Sequence, residues 1–311
     1  MTTVYERSTQ ANPERRLRFI VSGGLGDCLL STPFLRPFKT VEPYRWIECW
    51  CPQSAMELFR GNPHVDRLLG GHGELLRIGA QPEAGWDVFS PYLELTTRDP
   101  PTVGLQKGRN LLNRPLLEQI AAENNLSLAD PRMEVFPGPE EEAWARTVAA
   151  AWSQRQAVHF NPLSGLPEKN LPAPFAAEVV SRLVAHFEVV VFGAVPSLEP
   201  QPRLHQFPRP TLLQLAALYR HLAAVVTVDS FPAHLAAAIG VPAVVMFGPS
   251  NPACWGHPGQ ALLRPSDCPA CSDTDRLRRC TRHRCLEAFS SESILSTCLQ
   301  ASANSREGPA P

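Results

Sequence analysis

The chain has 311 residues, 44% hydrophobic and 19% charged, and a formal net charge of −1 at pH 7. That length supports two domains with substantial cores, the composition is that of a soluble globular protein, and the near-zero charge excludes the broad basic field through which a whole protein meets nucleic acid. No apolar run approaches the ~20 residues that span a bilayer, and the polar stretch Met1 to Arg16 lacks an apolar signal core. The expectation is a cytoplasmic protein without a transmembrane segment, whose 9 Cys are free thiols or metal ligands rather than structural disulfides.

Residues 1–16 read as a flexible extension. Leu17 to Ser22 is an apolar strand, Gly23-Gly24-Leu25-Gly26 a tight loop, and the chain turns helical from Asp27, with Pro33 early in the helix. Trp46 to Trp50 alternates as a second strand, Ser54 to Arg60 is a helix closed by Gly61-Asn62-Pro63, and short strands follow at Val65 to Leu69 and Trp86 to Phe89. The alternation of strand and helix argues for a parallel sheet. Helices are expected over Leu111 to Asn124 and, after Pro137-Gly138-Pro139, over Glu140 to Trp152, which puts the domain boundary near residue 150.

A second series then begins. Ala157 to Phe160 is a strand, Asn161 to Leu171 a loop, Pro174 to His186 a helix and Glu188 to Phe192 a strand; Thr211 is placed to cap a helix running to His221. Val225 to Val228 is the strand before Asp229-Ser230, and an Ala-rich helix leads through Gly240-Val241-Pro242 into the strand Ala243 to Phe247. Glu292 to Leu299 is a closing helix and residues 301–311 a disordered tail. Two consecutive Rossmann-like halves imply a cleft, with ligands at the carboxyl ends of the strands.

Several positions carry chemistry in this pattern. The Gly24–Gly26 loop follows a strand and opens a helix, as a binding loop does. It is not a phosphate loop of the Gly-Lys-Ser/Thr type, and Leu29 stands where a dinucleotide fingerprint needs its third Gly. Taken alone, Asp27 is an ordinary helix-capping residue. Lys169 in its loop is either a solvated charge or a ligand for an anion. Asp229 and Ser230 sit where a buried strand meets a helix N-terminus, the place where free N–H groups and the helix dipole hold phosphate. His234, one turn further on, is a packed side chain or a ligand. Cys268-Pro-Ala-Cys271, followed by Cys280, Cys285 and Cys298, has a metal-binding spacing at its start and an irregular one afterwards. Structural zinc or iron and reduced, unliganded thiols are both open. The Arg276, Arg278, Arg279, Arg282, His283 and Arg284 cluster reads as a solvated or anion-facing patch.

The order of these segments, Gly26-Asp27 with Thr32-Pro33, the loop through Lys169 to Leu171-Pro172, Asp229-Ser230 with His234, and Phe247-Gly248-Pro249 with Trp255, resembles glycosyltransferase family 9, the heptosyltransferase-like enzymes of bacterial surface polysaccharides. The resemblance spans about residues 17 to 299. It implies an α/β protein of GT-B architecture, two Rossmann-like domains facing across a cleft, with an acceptor-side domain at 17–150 and a nucleotide-sugar-binding domain at 151–300 that includes the Cys-rich segment 265–298. It implies inverting glycosyl transfer that requires no metal. Asp27 would be the general base, Ser164, Lys169, Ser230 and His234 would hold the leaving nucleoside diphosphate, and Asp229 would organise the loop or touch the sugar. ADP-heptose is the commonest donor in the family; the acceptor would be a lipopolysaccharide core, another glycan, a protein or a small metabolite. Glu199 is a candidate ribose contact. Phe231 departs from the family, standing where a Gly or small residue is usual, and either points away from the donor or narrows its pocket. Two other readings remain: a catalytically silent nucleotide-sugar-binding module, and a Cys-cluster interaction protein on an α/β scaffold.

Overall fold

The protein is described by a computed structural model, which covers residues 15–304 apart from 42–43, 72, 74–77, 82, 92, 96–102, 106–113, 125, 153–154, 196–197, 266, 272–279 and 281–283. The chain divides into two compact units, Met1–Phe136 and Pro137–Pro311.

In the first unit the elements are β1 (Arg16–Ile20), α1 (Leu25–Ser31), a 3-10 turn at Thr32–Phe34, α2 (Leu35–Thr40), β2 (Trp46–Pro52), α3 (Met56–Phe59), β3 (Arg67–Gly71), β4 (Trp86–Phe89), β5 (Leu93–Leu95), β6 (Val103–Leu105) and α4 (Leu116–Glu123). Strands β3-β2-β1-β4 form one parallel sheet, and β5 and β6 pair antiparallel. Pro33 accounts for the break between α1 and α2, because a helix cannot continue unchanged through a residue without an N–H. The core is aromatic: Phe89 lies 5.6 Å from Phe19 and 4.9 Å from Phe38, ring to ring. Arg36 pairs with Asp130 and Glu134, and the Glu134 N–H donates to Thr32 Oγ1 at 2.9 Å, so the segment after α4 is fastened to the helices after the glycine loop.

The second unit contains α5 (Pro139–Ala150), β7 (Ala157–Asn161), α6 (Ala173–Leu183), β8 (Glu188–Phe192), β9 (Leu204–Phe207), α7 (Leu212–Tyr219), β10 (Ala224–Val228), α8 (Phe231–Ile239), β11 (Ala243–Met246), α9 (Pro252–Trp255), β12 (Ala261–Leu263), α10 (Arg284–Glu287) and α11 (Ser291–Asn304). Its six strands run parallel in the order β12-β11-β10-β7-β8-β9. The central strands are buried along their length and read as unbroken Val-rich runs, as strands covered on both faces do. Helix α5 packs Ala145 against Ala217 and Leu218 of α7 and so belongs with this unit. Helix α11 sets Ile294 and Cys298 into the same core as α6 and strands β10 and β11.

Three differences from the sequence expectations have plain causes. Arg16 begins β1, and Arg15 is anchored to Asp87 at 2.7 Å, so the expected extension does not reach that far; residues 1–14 lie outside the described residues. Helix α11 continues past Leu299 through Ala301 to Asn304, and residues 305–311 lie outside the described residues. Strands β9 and β12 are short edge strands whose alternation is too brief to stand out. Among the described residues no helix is long and apolar enough to cross a membrane.

Candidate functional site

The second unit gathers most of the singled-out residues at the carboxyl ends of β7 and β10. Asn161, the last residue of β7, donates through Nδ2 to Leu163 O at 2.7 Å, Thr227 Oγ1 at 3.0 Å and Ser230 Oγ at 3.1 Å, and so joins the two strand ends. The loop that follows is pinched at its base by Leu171 N–H to Pro162 O, 3.0 Å, and inside by Ser164 N–H to Asn170 Oδ1, 2.6 Å. Ser164 Oγ accepts from the Leu166 N–H, so this side chain is engaged within its own loop. A 3-10 turn, Pro167–Lys169, then delivers Lys169 to Asp229: Nζ and Oδ2 are 2.6 Å apart. The ammonium also lies 6.0 Å from the centre of the Trp255 ring.

Asp229 is 3% exposed. Burial alone would raise its carboxyl, but Lys169 and His234 beside it outweigh burial and hold it below the usual carboxylate range. Ser230 is the N-cap of α8, yet its hydroxyl does not cap the helix; it turns back to Val228 O at 3.1 Å. The first turn of a nine-residue helix therefore opens without a side-chain cap, but Pro232 brings no N–H and the Ala233 N–H donates to Ser230 O at 2.9 Å, so this end offers a phosphate the helix dipole and the Phe231 N–H. Phe231 and Pro232 occupy that first turn, with Phe231 half-buried. At the other end Gly240, at φ 82°, stops the helix in the left-handed conformation that suits glycine.

His234 is buried, and its Nδ1 lies 2.7 Å from Nε2 of His257. Burial lowers the His234 imidazole to about 4, against a partial pull upward from Asp229, and lowers His257 to about 3. The ring of Trp255 stands edge-on to His234 at 6.4 Å. Glu199 is exposed in the segment between β8 and β9.

In the first unit, Asp27 sits at the third position of α1 and accepts the Gly24 N–H through Oδ2 at 2.8 Å. Gly23 adopts φ 102°, and a Cβ there would lie 2.6 Å from that same oxygen, so the loop holds the carboxylate by close backbone approach. Gly26 is the second residue of the helix. The capping role and the accessible, half-buried position coexist in one side chain.

Among the Cys-rich residues, Cys285 is raised to about 11 by burial and by the neighbouring Cys268, Cys271 and Cys280, with a further hydrogen bond to Cys268. Those four thiols are gathered, but among the described residues no three His, Cys, Asp or Glu side chains converge closely enough to hold a metal ion. Cys298 is packed in the apolar core and raised to about 12 by burial. The Cys segment touches the rest of the site: Cys271 N–H donates to Pro249 O at 2.7 Å, and a Cβ on Gly248 would come 2.6 Å from Leu286. Of the basic cluster, only Arg284 lies among the described residues.

The sequence motifs do not include His257, and Asn161 enters them only as the first residue of a loop. His257 lies in a Gly-His-Pro-Gly turn, 23 residues beyond His234, and no spacing rule connects the two.

The sequence model of "Glycosyltransferase family 9 (heptosyltransferase)" matches residues 78–266. Among solved structures, the chain is similar to a family 9 glycosyl transferase from Veillonella parvula DSM 2008, at 19% identity and a TM-score of 0.73, over 96% of this chain and 100% of that one. It is also similar to ADP-heptose lps heptosyltransferase II of E. coli, at 17% identity and 0.68, over 93% and 99%. A third similar structure is the E. coli dodecameric iron-containing heptosyltransferase TibC in complex with ADP-D-beta-D-heptose, at 16% and 0.66, over 98% and 81%. No curated protein matches the chain. These likenesses show a GT-B-like fold.

Proposed function

Because the chain belongs to glycosyltransferase family 9, we propose that it moves a sugar from a nucleotide-sugar donor to a hydroxyl acceptor with inversion at the anomeric carbon. The observation that carries this reading is the Lys169–Asp229 ion pair beside the uncapped start of α8. A hydroxyl is a weak nucleophile, so Asp27 takes its proton as the new C–O bond forms. The bond from the anomeric carbon to the diphosphate breaks, and its electron pair leaves with the phosphate oxygen. Lys169 neutralises the charge that develops there, and the start of α8, Ser230 and His234 offer it hydrogen bonds and the helix dipole. Asp229 keeps Lys169 in place while the site is open, and Ser164 shapes the loop that carries it. No step calls for a metal.

ADP-heptose is the donor we favour. The similarity to a heptosyltransferase solved with ADP-heptose supports it, and a bacterial surface glycan such as a lipopolysaccharide core is the matching acceptor. Cys268, Cys271 and Cys280 lie near Cys285, but no three ligands converge there among the described residues, so the arrangement fits reduced thiols, and a structural zinc or iron would have to draw them closer together.

A thermal-shift series across ADP, UDP, GDP and their sugars tests the site directly; a ligand at a hundred times its Kd stabilises by about 2.7 kcal/mol. One adenine nucleotide is expected to stand out. Asp27→Asn is expected to keep that shift and lose turnover by ~10²-fold or more. If no nucleotide stabilises the chain, the glycosyltransferase reading fails. If Asp27→Asn transfers sugar at the parent rate, Asp27 is not the base. Donor binding without turnover under any acceptor would favour the silent binding module.

A further inference from the structure

His234 and His257 meet ring nitrogen to ring nitrogen, Nδ1 to Nε2 at 2.7 Å, inside the second unit. An imidazole pair at that distance must share one proton: one nitrogen donates and the other accepts. His257 is itself held from two sides of its turn. Its backbone N–H donates to Gln260 Oε1 at 3.1 Å, and Gln260 Nε2 donates to Ala233 O at 2.7 Å, which pins the 257–260 turn to the first turns of α8. The turn that carries His257 is therefore held against α8 beside His234.

We infer that His257 is a positioning residue that donates its Nε2 proton to Nδ1 of His234 and so fixes His234 as the Nε2-protonated tautomer. The inference deepens the reading given under Proposed function, since the ligand served is the nucleoside diphosphate. Two arguments select this direction. The first is electrostatic: of the two charges beside His234, the buried Asp229 carboxylate acts on it more strongly than the opposing Lys169 ammonium. With Nδ1 committed to His257, a negative neighbour favours a proton, not a lone pair, on the remaining nitrogen. The second is chemical. Diphosphate oxygens only accept hydrogen bonds, so His234 can serve the leaving group only if its remaining nitrogen carries hydrogen. Burial keeps both rings neutral near pH 7, which leaves the choice of tautomer to the partner.

Long-range proton–nitrogen NMR on 15N-histidine-labelled protein reads the tautomer without any ligand. The full chain is expected to show His234 protonated on Nε2. His257→Phe should abolish that fixed tautomer and weaken ADP binding about tenfold, the scale of one lost hydrogen bond to a charged group. His257→Gln, whose amide nitrogen stands close to where Nε2 stood and still donates, should restore both. A His234 protonated on Nδ1 in the parent protein overturns the inference, as does a tautomer unchanged in His257→Phe. If His257→Phe fails to fold, the parent tautomer and the Gln variant decide alone: an Nε2-protonated His234 retained with parent-like ADP affinity in His257→Gln supports the inference, and loss of either in that folded variant overturns it. Failure of ADP to bind the parent would instead count against the proposed function, because the tautomer is measured independently of it.

Discussion

Removing the Lys169 side chain would strand the Asp229 carboxylate, 3% exposed, without the ammonium 2.6 Å away. Breaking one side of a buried pair costs about 3–5 kcal/mol, chiefly because the other charge is left uncompensated. Lys169→Ala is therefore expected to lower both donor affinity and stability. Adding Asp229→Asn should return much of the stability in urea unfolding and none of the affinity for ADP. A single variant as stable as the parent would show that water already screens the pair. At this scale the sequence is half legible. Asp27, Lys169, Asp229, Ser230 and His234 can be picked out because each lies where a strand hands over to a helix. That Lys169 reaches Asp229, 60 residues further along, depends on β7 and β10 lying side by side, a long-range fact that no local pattern encodes. His257 stayed hidden for the same reason.

Elements were more legible than their edges. Thr211 caps α7 as its position implies, and the bond is reciprocal: Gln214 N–H to Thr211 Oγ1 at 3.2 Å and Thr211 N–H to Gln214 Oε1 at 3.0 Å. The Val-rich strands stood out because central parallel strands are apolar on both faces. Strands β9 and β12 did not, since three or four residues at a sheet edge carry too little pattern, and the start of α4 follows Pro115, not the apolar residues before it. One contact between elements invites a test. A Cβ on Gly248, just after β11, would come 2.6 Å from the end of the buried Leu286 side chain of α10, which would have to shift. Gly248→Ala should overpack that contact and cost about 1–3 kcal/mol, and Leu286→Ala in the same chain should relieve part of it. Unfolding curves for the three variants measure the coupling, and simple additivity would mean that the two residues yield independently.

For the whole molecule, acid is the informative perturbant. His159 is fully enclosed beside Tyr219, and burial lowers its imidazole to about 3; His234 is lowered to about 4. In the unfolded chain both titrate near ~6.5. Their native values are depressed, so the stability they contribute is complete above that pH and is lost as pH falls toward the native values, by about 1.4 kcal/mol per pH unit for each enclosed ring. Urea midpoints should fall steeply between pH 6.5 and 4.5, and His159→Asn should flatten the slope by about one proton. The Cys-rich segment has its own assay, elemental analysis of protein purified without chelator: about one zinc or iron per chain, lost in Cys271→Ser, would mark a metal that draws the thiols closer than they lie here. Metal-free protein whose stability is unmoved by that substitution would favour plain thiols. The placement of α11 bears on how the protein is made. Ile294 and Cys298 are fully buried in the same core as β10, β11 and α6, so the second unit lacks a wall until residues 291–304 have left the ribosome. The first unit has all four strands of its parallel sheet by residue 89 and can collapse while synthesis continues at roughly 5–20 residues per second. A nascent chain halted before residue 290 should thus carry one protease-resistant half and one that still depends on chaperones.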